Sequence, residues 1–175
     1  MTPPQPPWRV SSGQPDPATV SRLLRELPAW FGIESSNAAY VEAARHMPAY
    51  LAWPAGPPQV AGPQRPAGSH PAGVLLAARH FPAAAEIYLL AVAPGQHRRG
   101  AGRALIAALE ADLVADGVRF LQVKTLGPAH PDPGYARTRQ FYAAAGFEPL
   151  EEIHGLWPGS PCLIMIRTLE PRPSA

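Results

Sequence analysis

The sequence has a single cysteine, Cys162, in 175 residues. An internal disulfide is therefore excluded, and one thiol in an apolar run gives no metal spacing. Charge is also scarce. Asp, Glu, Lys and Arg make up 16% of the chain, and the formal net charge is +2. That balance is too small to make nucleic acid the main partner. No run approaches the ~18 apolar residues of a membrane helix. The N-terminus has prolines where a signal peptide needs an apolar stretch. Together these absences predict a soluble cytoplasmic protein with no nucleic-acid and no membrane partner. The six histidines include no pair at ligand spacing, so no metal is expected.

Proline and glycine are plentiful instead. There are 24 and 15 of them, together 22% of the chain. Spread evenly, that content would read as low complexity. Six prolines lie in residues 1–17, six more in 54–71, and none between Gly95 and Gly127. The predicted organisation is a disordered tail over 1–7, one domain over 8–169, and a short tail over 170–175. Within the domain, 54–71 reads as a flexible Pro/Gly-rich loop. Its composition alone would also suit a docking segment for another protein. A chain of this length buries about 70% of its unfolded surface, and 46% hydrophobic content supports such a core.

Local signals place the elements. Trp8 to Val10 predicts a first strand. Asp16-Pro17 predicts a helix start, with an acceptor at the N-cap and proline at the first helical position. Val20, Leu23, Leu24 and Leu27 follow at helical spacing. A second helix is expected from Ser35 or Ser36, with Tyr40, Ala43, Ala44 and Met47 on one face and Pro48 as its stop. Tyr50 to Trp53, Val74 to Arg79 and Glu86 to Val92 read as strands. The last is almost wholly apolar and suits a strand buried on both faces. Arg98 to Asp116 predicts a long helix. Leu105, Leu109, Leu113 and Ile106 face inward, Arg103, Glu110 and Asp116 face water, and Gly117 is the stop. Phe120 to Thr125 is the next strand. Asp132-Pro133 starts a further helix, which ends at Gly146, with Phe141, Ala145 and Phe147 as core. Glu148 to His154 and Cys162 to Thr168 predict a closing antiparallel pair. This order indicates α/β, with a mixed, mostly antiparallel sheet of six or seven strands flanked by about four helices.

The chemistry concentrates at Leu90 to Leu105, which reads Leu-Ala-Val-Ala-Pro-Gly-Gln-His-Arg-Arg-Gly-Ala-Gly-Arg-Ala-Leu. A buried strand ends, the chain turns, and Gly100 and Gly102 open a helix. Helix starts offer unpaired N–H donors and partial positive charge, which attract phosphate. Glycine lets a ligand approach the backbone, and Arg98, Arg99 and Arg103 add charge. No Gly-Lys-Ser/Thr follows, so this is not a P-loop, and the full dinucleotide fingerprint is missing. A second signal is Phe141-Tyr142-Ala-Ala-Ala-Gly146-Phe147. Tyr142 lies in the last turn of its helix, either packed or aimed into a cleft as an acid with a pKa near ~10.

In this order the two signals resemble the GNAT superfamily of acyl-CoA-dependent N-acyltransferases. The resemblance covers roughly Gly73 to Thr168 and, more loosely, Trp8 to Trp53. Its first motif appears as His97-Arg-Arg-Gly100-Ala101-Gly102, its second as the Tyr142 to Phe147 run. The resemblance implies a single GNAT-like domain and direct attack of a neutral amine on acetyl-CoA in a ternary complex. The backbones of Leu90, Ala91 and Val92 would hold the pantetheine arm. The N–H groups from Arg98 to Arg103 would cradle the pyrophosphate, and Tyr142 would protonate the leaving thiolate. His97 stands where the family has Gln or Arg, and Tyr135 where many members have Asn.

An amine is mostly protonated at pH 7, so a base or water relay must take a proton. Glu86, the only acid between Glu42 and Glu110, is the leading candidate. Its alternative is a solvated carboxylate at the start of a strand. His80, His130 and His154 are further candidates, each with a structural role as alternative. The acceptor side would be lined by Trp30, Phe31, Glu34, Tyr40, His154 and Trp157. Aromatics with few acids favour a modest, partly apolar amine, on a small molecule or a peptide. A homodimer, common in the family, leaves no mark here. Two other classes remain: a non-catalytic acyl-CoA-binding or sensing module, which would show no turnover, and a nucleic-acid domain using the arginines, which would show salt-dependent binding.

Overall fold

The computed structural model describes residues 8–15, 17–55 and 70–170. The tail predicted over 1–7, the tail predicted over 170–175 except Glu170, the Asp16 cap and most of the 54–71 loop lie outside them. Seven strands form one sheet in the order β1-β2-β3-β4-β5-β7-β6. The strands are β1 (Trp8–Gly13), β2 (Ala49–Pro54), β3 (Gly73–Phe81), β4 (Ala84–Val92), β5 (Phe120–Leu126), β6 (Glu148–Trp157) and β7 (Ser160–Thr168). The helices are α1 (Pro17–Arg25), α2 (Glu34–Ala43), α3 (Ala101–Ala115) and α4 (Pro133–Ala144). The α/β class and the mixed sheet are as expected. Among the described residues β4 and β5 pair in parallel, Glu86 opposite Gln122. A parallel pair needs a crossover, and α3 supplies it. Among the described residues no helix is long and apolar enough to cross a membrane.

The chain divides into two compact units. One runs to Leu76 and takes in Leu89–Ala108; the other comprises Ala77–Tyr88 and the chain from Leu109 on. In the first, β1 pairs antiparallel with β2 from Trp8 opposite Pro54 to Gly13 opposite Ala49. β2 continues antiparallel onto β3. The apolar stripe of α1 is buried as its spacing predicts, at Val20, Leu23 and Leu24, with Leu27 beyond its end. α2 ends at Ala43, well before Pro48, so Met47 lies past the helix.

In the second unit β5 pairs antiparallel with β7, and β7 with β6. Leu109, Leu113, Val118, Leu121, Val123, Phe147, Leu163 and Met165 form its core. Asp132 caps α4 by accepting the Tyr135 N–H at 2.9 Å, with Pro133 behind it. The link between β6 and β7 is shorter than predicted, because β6 runs on to Trp157 and β7 begins at Ser160.

Three expectations change. α3 starts at Ala101 rather than Arg98, because Arg98 and Gly100 have φ of 59° and 90°, outside the helical region. Glu110 does not simply face water: its carboxylate pairs with Arg167 at 2.6 Å. Burial pushes the Glu110 carboxyl up, against the opposing charge of Arg167. Phe141 and Ala145 are only half-buried, whereas Tyr142 and Phe147 are buried.

Candidate functional site

In the first unit, β4 delivers Leu90, Ala91 and Val92 to the turn that precedes α3. Pro94–Gln96 forms one 3-10 turn, and His97–Gly100 leads to the helix. The ladder of α3 begins with Ala104 N–H donating to the Gly100 carbonyl at 2.9 Å. The donors at Ala101 and Gly102 precede that bond, as at any helix start. Ala101 is buried, while Arg98, Arg99, Gly100 and Arg103 are exposed. Exposed guanidiniums, a positive helix end and a glycine without Cβ fit a polyphosphate ligand.

Two contacts fix this loop, and sequence reasoning missed both. The Trp8 indole N–H donates to the Arg99 carbonyl at 2.6 Å. The His97 Nε2 bonds the Val92 carbonyl at 2.7 Å. A carbonyl only accepts, so that ring nitrogen carries the hydrogen. That bond uses one of the two lone pairs of the Val92 carbonyl. His97 thus ties the loop back to the strand. Gly73 completes the packing. A Cβ on it would lie 3.1 Å from the Ala91 carbonyl oxygen and 3.2 Å from a Leu105 methyl. β3, β4 and α3 approach one another closely there because that side chain is missing.

Of the expected acceptor-side residues in this unit, Trp30 meets His97 edge-on at 5.8 Å. Phe31 and Tyr40 form their own T-shaped pair at 5.9 Å. Glu34 is the exposed first residue of α2. Trp30 therefore packs against the loop.

The second unit holds the titratable cluster. Glu86 is the third residue of β4 and is 4% exposed, so it is not a solvated strand-end carboxylate. Its Oε2 accepts from Lys124 Nζ at 2.7 Å, His80 Nε2 at 2.6 Å and Gln122 Nε2 at 3.0 Å. The parallel register explains the grouping. Glu86 lies opposite Gln122, and Lys124 is two residues on, on the same face. Lys124 is the only lysine in the sequence. That scarcity, with the period-2 spacing from Gln122, is the signal that would have found it.

Burial pushes the Glu86 carboxyl up, but hydrogen bonds from Lys124, His80 and Gln122 outweigh it and hold the group below its ordinary range. A carboxyl whose folded pKa is lowered stabilises the fold above its unfolded pKa. That contribution is lost as pH falls through the folded value. The urea midpoint should therefore drop below about pH 4.3, and Glu86→Gln should lose that part of the slope. Because Glu110 titrates with the opposite sign, the difference curve between wild type and variant is the measurement. Parallel curves would show that the Glu86 network does not couple to folding.

Tyr142 is 5% exposed and packs edge-on with Phe141 at 5.2 Å and Phe147 at 5.5 Å. His154 pairs with Glu152 at 3.0 Å. Glu152 in turn accepts the Ala129 N–H at 3.2 Å. Trp157 closes the β6–β7 turn opposite Ser160. His130 Nδ1 is buried and finds no partner among the described residues. Cys162 is fully buried, and burial pushes its thiol up, which suits an inert core residue rather than a nucleophile.

A sequence profile of the acetyltransferase (GNAT) family matches residues 25–147. No curated protein sequence matches. Among solved structures, a Desulfovibrio desulfuricans protein described as a candidate GNAT acetyltransferase superposes with a TM-score of 0.74. It is 20% identical and covers 93% of this chain and 99% of its own. The ribosomal-protein-S18-alanine N-acetyltransferase of Escherichia coli gives 0.68 at 17% identity, over 93% and 94% of the two chains. An aminoglycoside 6'-N-acetyltransferase complexed with coenzyme A gives 0.66 at 18%, over 95% and 99%. At these identities the likeness is one of fold.

Proposed function

The chain belongs to the acetyltransferase (GNAT) family, and from that premise we propose that it transfers an acetyl group from acetyl-CoA to a primary amine. The observation that carries the proposal is the loop from Val92 to Arg103. Its left-handed turns, exposed arginines and helix start supply the donor set a pyrophosphate requires. The N–H groups of Arg98 to Arg103 hold the phosphates. The backbones of Leu90, Ala91 and Val92 hold the pantetheine arm. Acetyl-CoA supplies the activated thioester.

Glu86 serves as the proton sink, directly or through water. Its three hydrogen bonds keep it ionised and fixed. His80 sits on its Oε2, and a neutral imidazole that donates Nε2–H there leaves Nδ1 as a proton acceptor toward solvent. Tyr142 donates a proton to the leaving thiolate. The inert state of Cys162 favours direct transfer over an acyl-enzyme on that residue. The acceptor is an amine of a small molecule or peptide, contacted by Phe31, Glu34, Tyr40, His154 and Trp157, with Trp30 at the loop edge. The low net charge supports an enzyme without a nucleic-acid partner; a cytoplasmic location is part of the same reading.

Acetyl-CoA at 100 times its Kd should stabilise the fold by about 2.7 kcal/mol, a Tm rise of about 5–10 °C. No rise would sink the site assignment. A rise without thiol release across a panel of amines would instead favour a sensing module.

A further inference from the structure

We propose that Trp8 is a positioning residue for the phosphate loop, setting which way the Arg99–Gly100 peptide faces. The inference rests on reading that loop as the acetyl-CoA pyrophosphate site. The indole N–H reaches the Arg99 carbonyl at 2.6 Å from a residue that is 7% exposed. Trp8 opens β1 and lies outside the β4–α3 connection. The restraint therefore comes from a separate part of the unit and not from the turn itself.

A trans peptide is planar, and its C=O and N–H point in opposite directions. Holding the Arg99 carbonyl on the buried indole turns the Gly100 N–H away from it. A flipped peptide would present carbonyl lone pairs to the ligand side, where they would repel a phosphate. The loop is inclined to flip. Arg98 sits at φ 59° and Gly100 at φ 90°, and glycine adopts either sign of φ readily. The indole bond supplies the orientation that glycine does not. The ring also lies against the residue it steers: a Cβ on Gly100 would be 3.7 Å from the Trp8 Nε1 and 3.8 Å from its Cδ1. With His97 holding the Val92 carbonyl, the loop is tied at both ends.

Trp8→Phe in the full chain keeps an aromatic ring and removes the donor. For acetyl-CoA, kcat/KM should fall about 10-fold, mostly through KM, with kcat within about 3-fold of wild type. S-acetylpantetheine carries the same thioester without the pyrophosphate. With it, wild type and variant should agree within about 2-fold. A merely structural role for Trp8 would lower both donors alike, so equal losses overturn the proposal, as does an unchanged KM for acetyl-CoA. Should the variant fail to fold, amide spectra of the wild type titrated with inorganic pyrophosphate decide. The Gly100 N–H should shift while the Trp8 indole proton keeps its bonded position; an unmoved Gly100 amide overturns the proposal. Failure of the wild type to bind acetyl-CoA at all is a separate result, which removes the site reading and this inference with it.

Discussion

Replacing Tyr142 with phenylalanine is expected to lower kcat by about 10²-fold while leaving the KM for acetyl-CoA within about 3-fold. A 10²-fold loss corresponds to about 2.7 kcal/mol of transition-state stabilisation. The substitution is clean because Phe keeps the ring. Tyr142 is 5% exposed and wedged edge-on between Phe141 and Phe147, and those contacts survive removal of one oxygen. Stability should change by no more than about one hydrogen bond, roughly 1 kcal/mol. The chemical need is specific. A thiol near pKa ~8.5 leaves less well as a bare thiolate than with a proton delivered, and a phenol near ~10 is a weak donor that gains from being held in place. The loss should therefore shrink with an acetyl thioester of a more acidic thiol, which needs no proton. An undiminished kcat in Tyr142→Phe would remove the hydroxyl from the mechanism and leave Tyr142 as core.

The same residue shows what the sequence made legible. Tyr142 and Phe147 could be placed at a helix end because Gly146 punctuates the chain between them, and α4 could be started at Pro133 because Asp132 is a side-chain cap. Such signals are local. The stripe of α1 and the stop of α3 at Gly117 were readable for the same reason. Glu86 stands out in the sequence for its isolation from other acids, but its surroundings do not. Its partners Gln122 and Lys124 reach it only through the parallel register of β4 with β5, and a period-2 pattern specifies faces without specifying neighbours. The start of α3 is not legible because nothing in an arginine announces a φ of 59°. The Trp8 bond was invisible because it joins residues 91 positions apart. The candidate site is therefore legible where it is built from backbone and sequential residues, and hidden where it depends on side chains from distant strands.

Gly100 tests that sequential part, and Gly100→Val should weaken acetyl-CoA binding by at least about 10-fold. A side chain at positive φ costs about 1–2 kcal/mol, and a β-branched one is a worse fit still. Crowding is not the cause, since an added Cβ would stand 3.7 Å from the nearest Trp8 atom, an ordinary contact. The strain is relieved only if φ moves toward negative values. That movement swings the Gly100 N–H and loosens the Arg99 carbonyl from the indole. Binding should therefore suffer more than folding, because the loop is exposed and the helix behind it keeps its ladder from Ala104 onward. Two other glycines separate these effects. Gly95 has open space around its Cβ position and no positive φ. Gly95→Ala should leave Kd unchanged and stabilise by about 0.4–1 kcal/mol. Gly117, at φ 76° beyond the end of α3, should lose about 1–2 kcal/mol of stability as alanine, again with Kd unchanged. Calorimetric titration of the three variants with acetyl-CoA distinguishes the cases. If Gly100→Val binds like wild type, or if Gly117→Ala loses as much affinity, the phosphates do not rest on this loop.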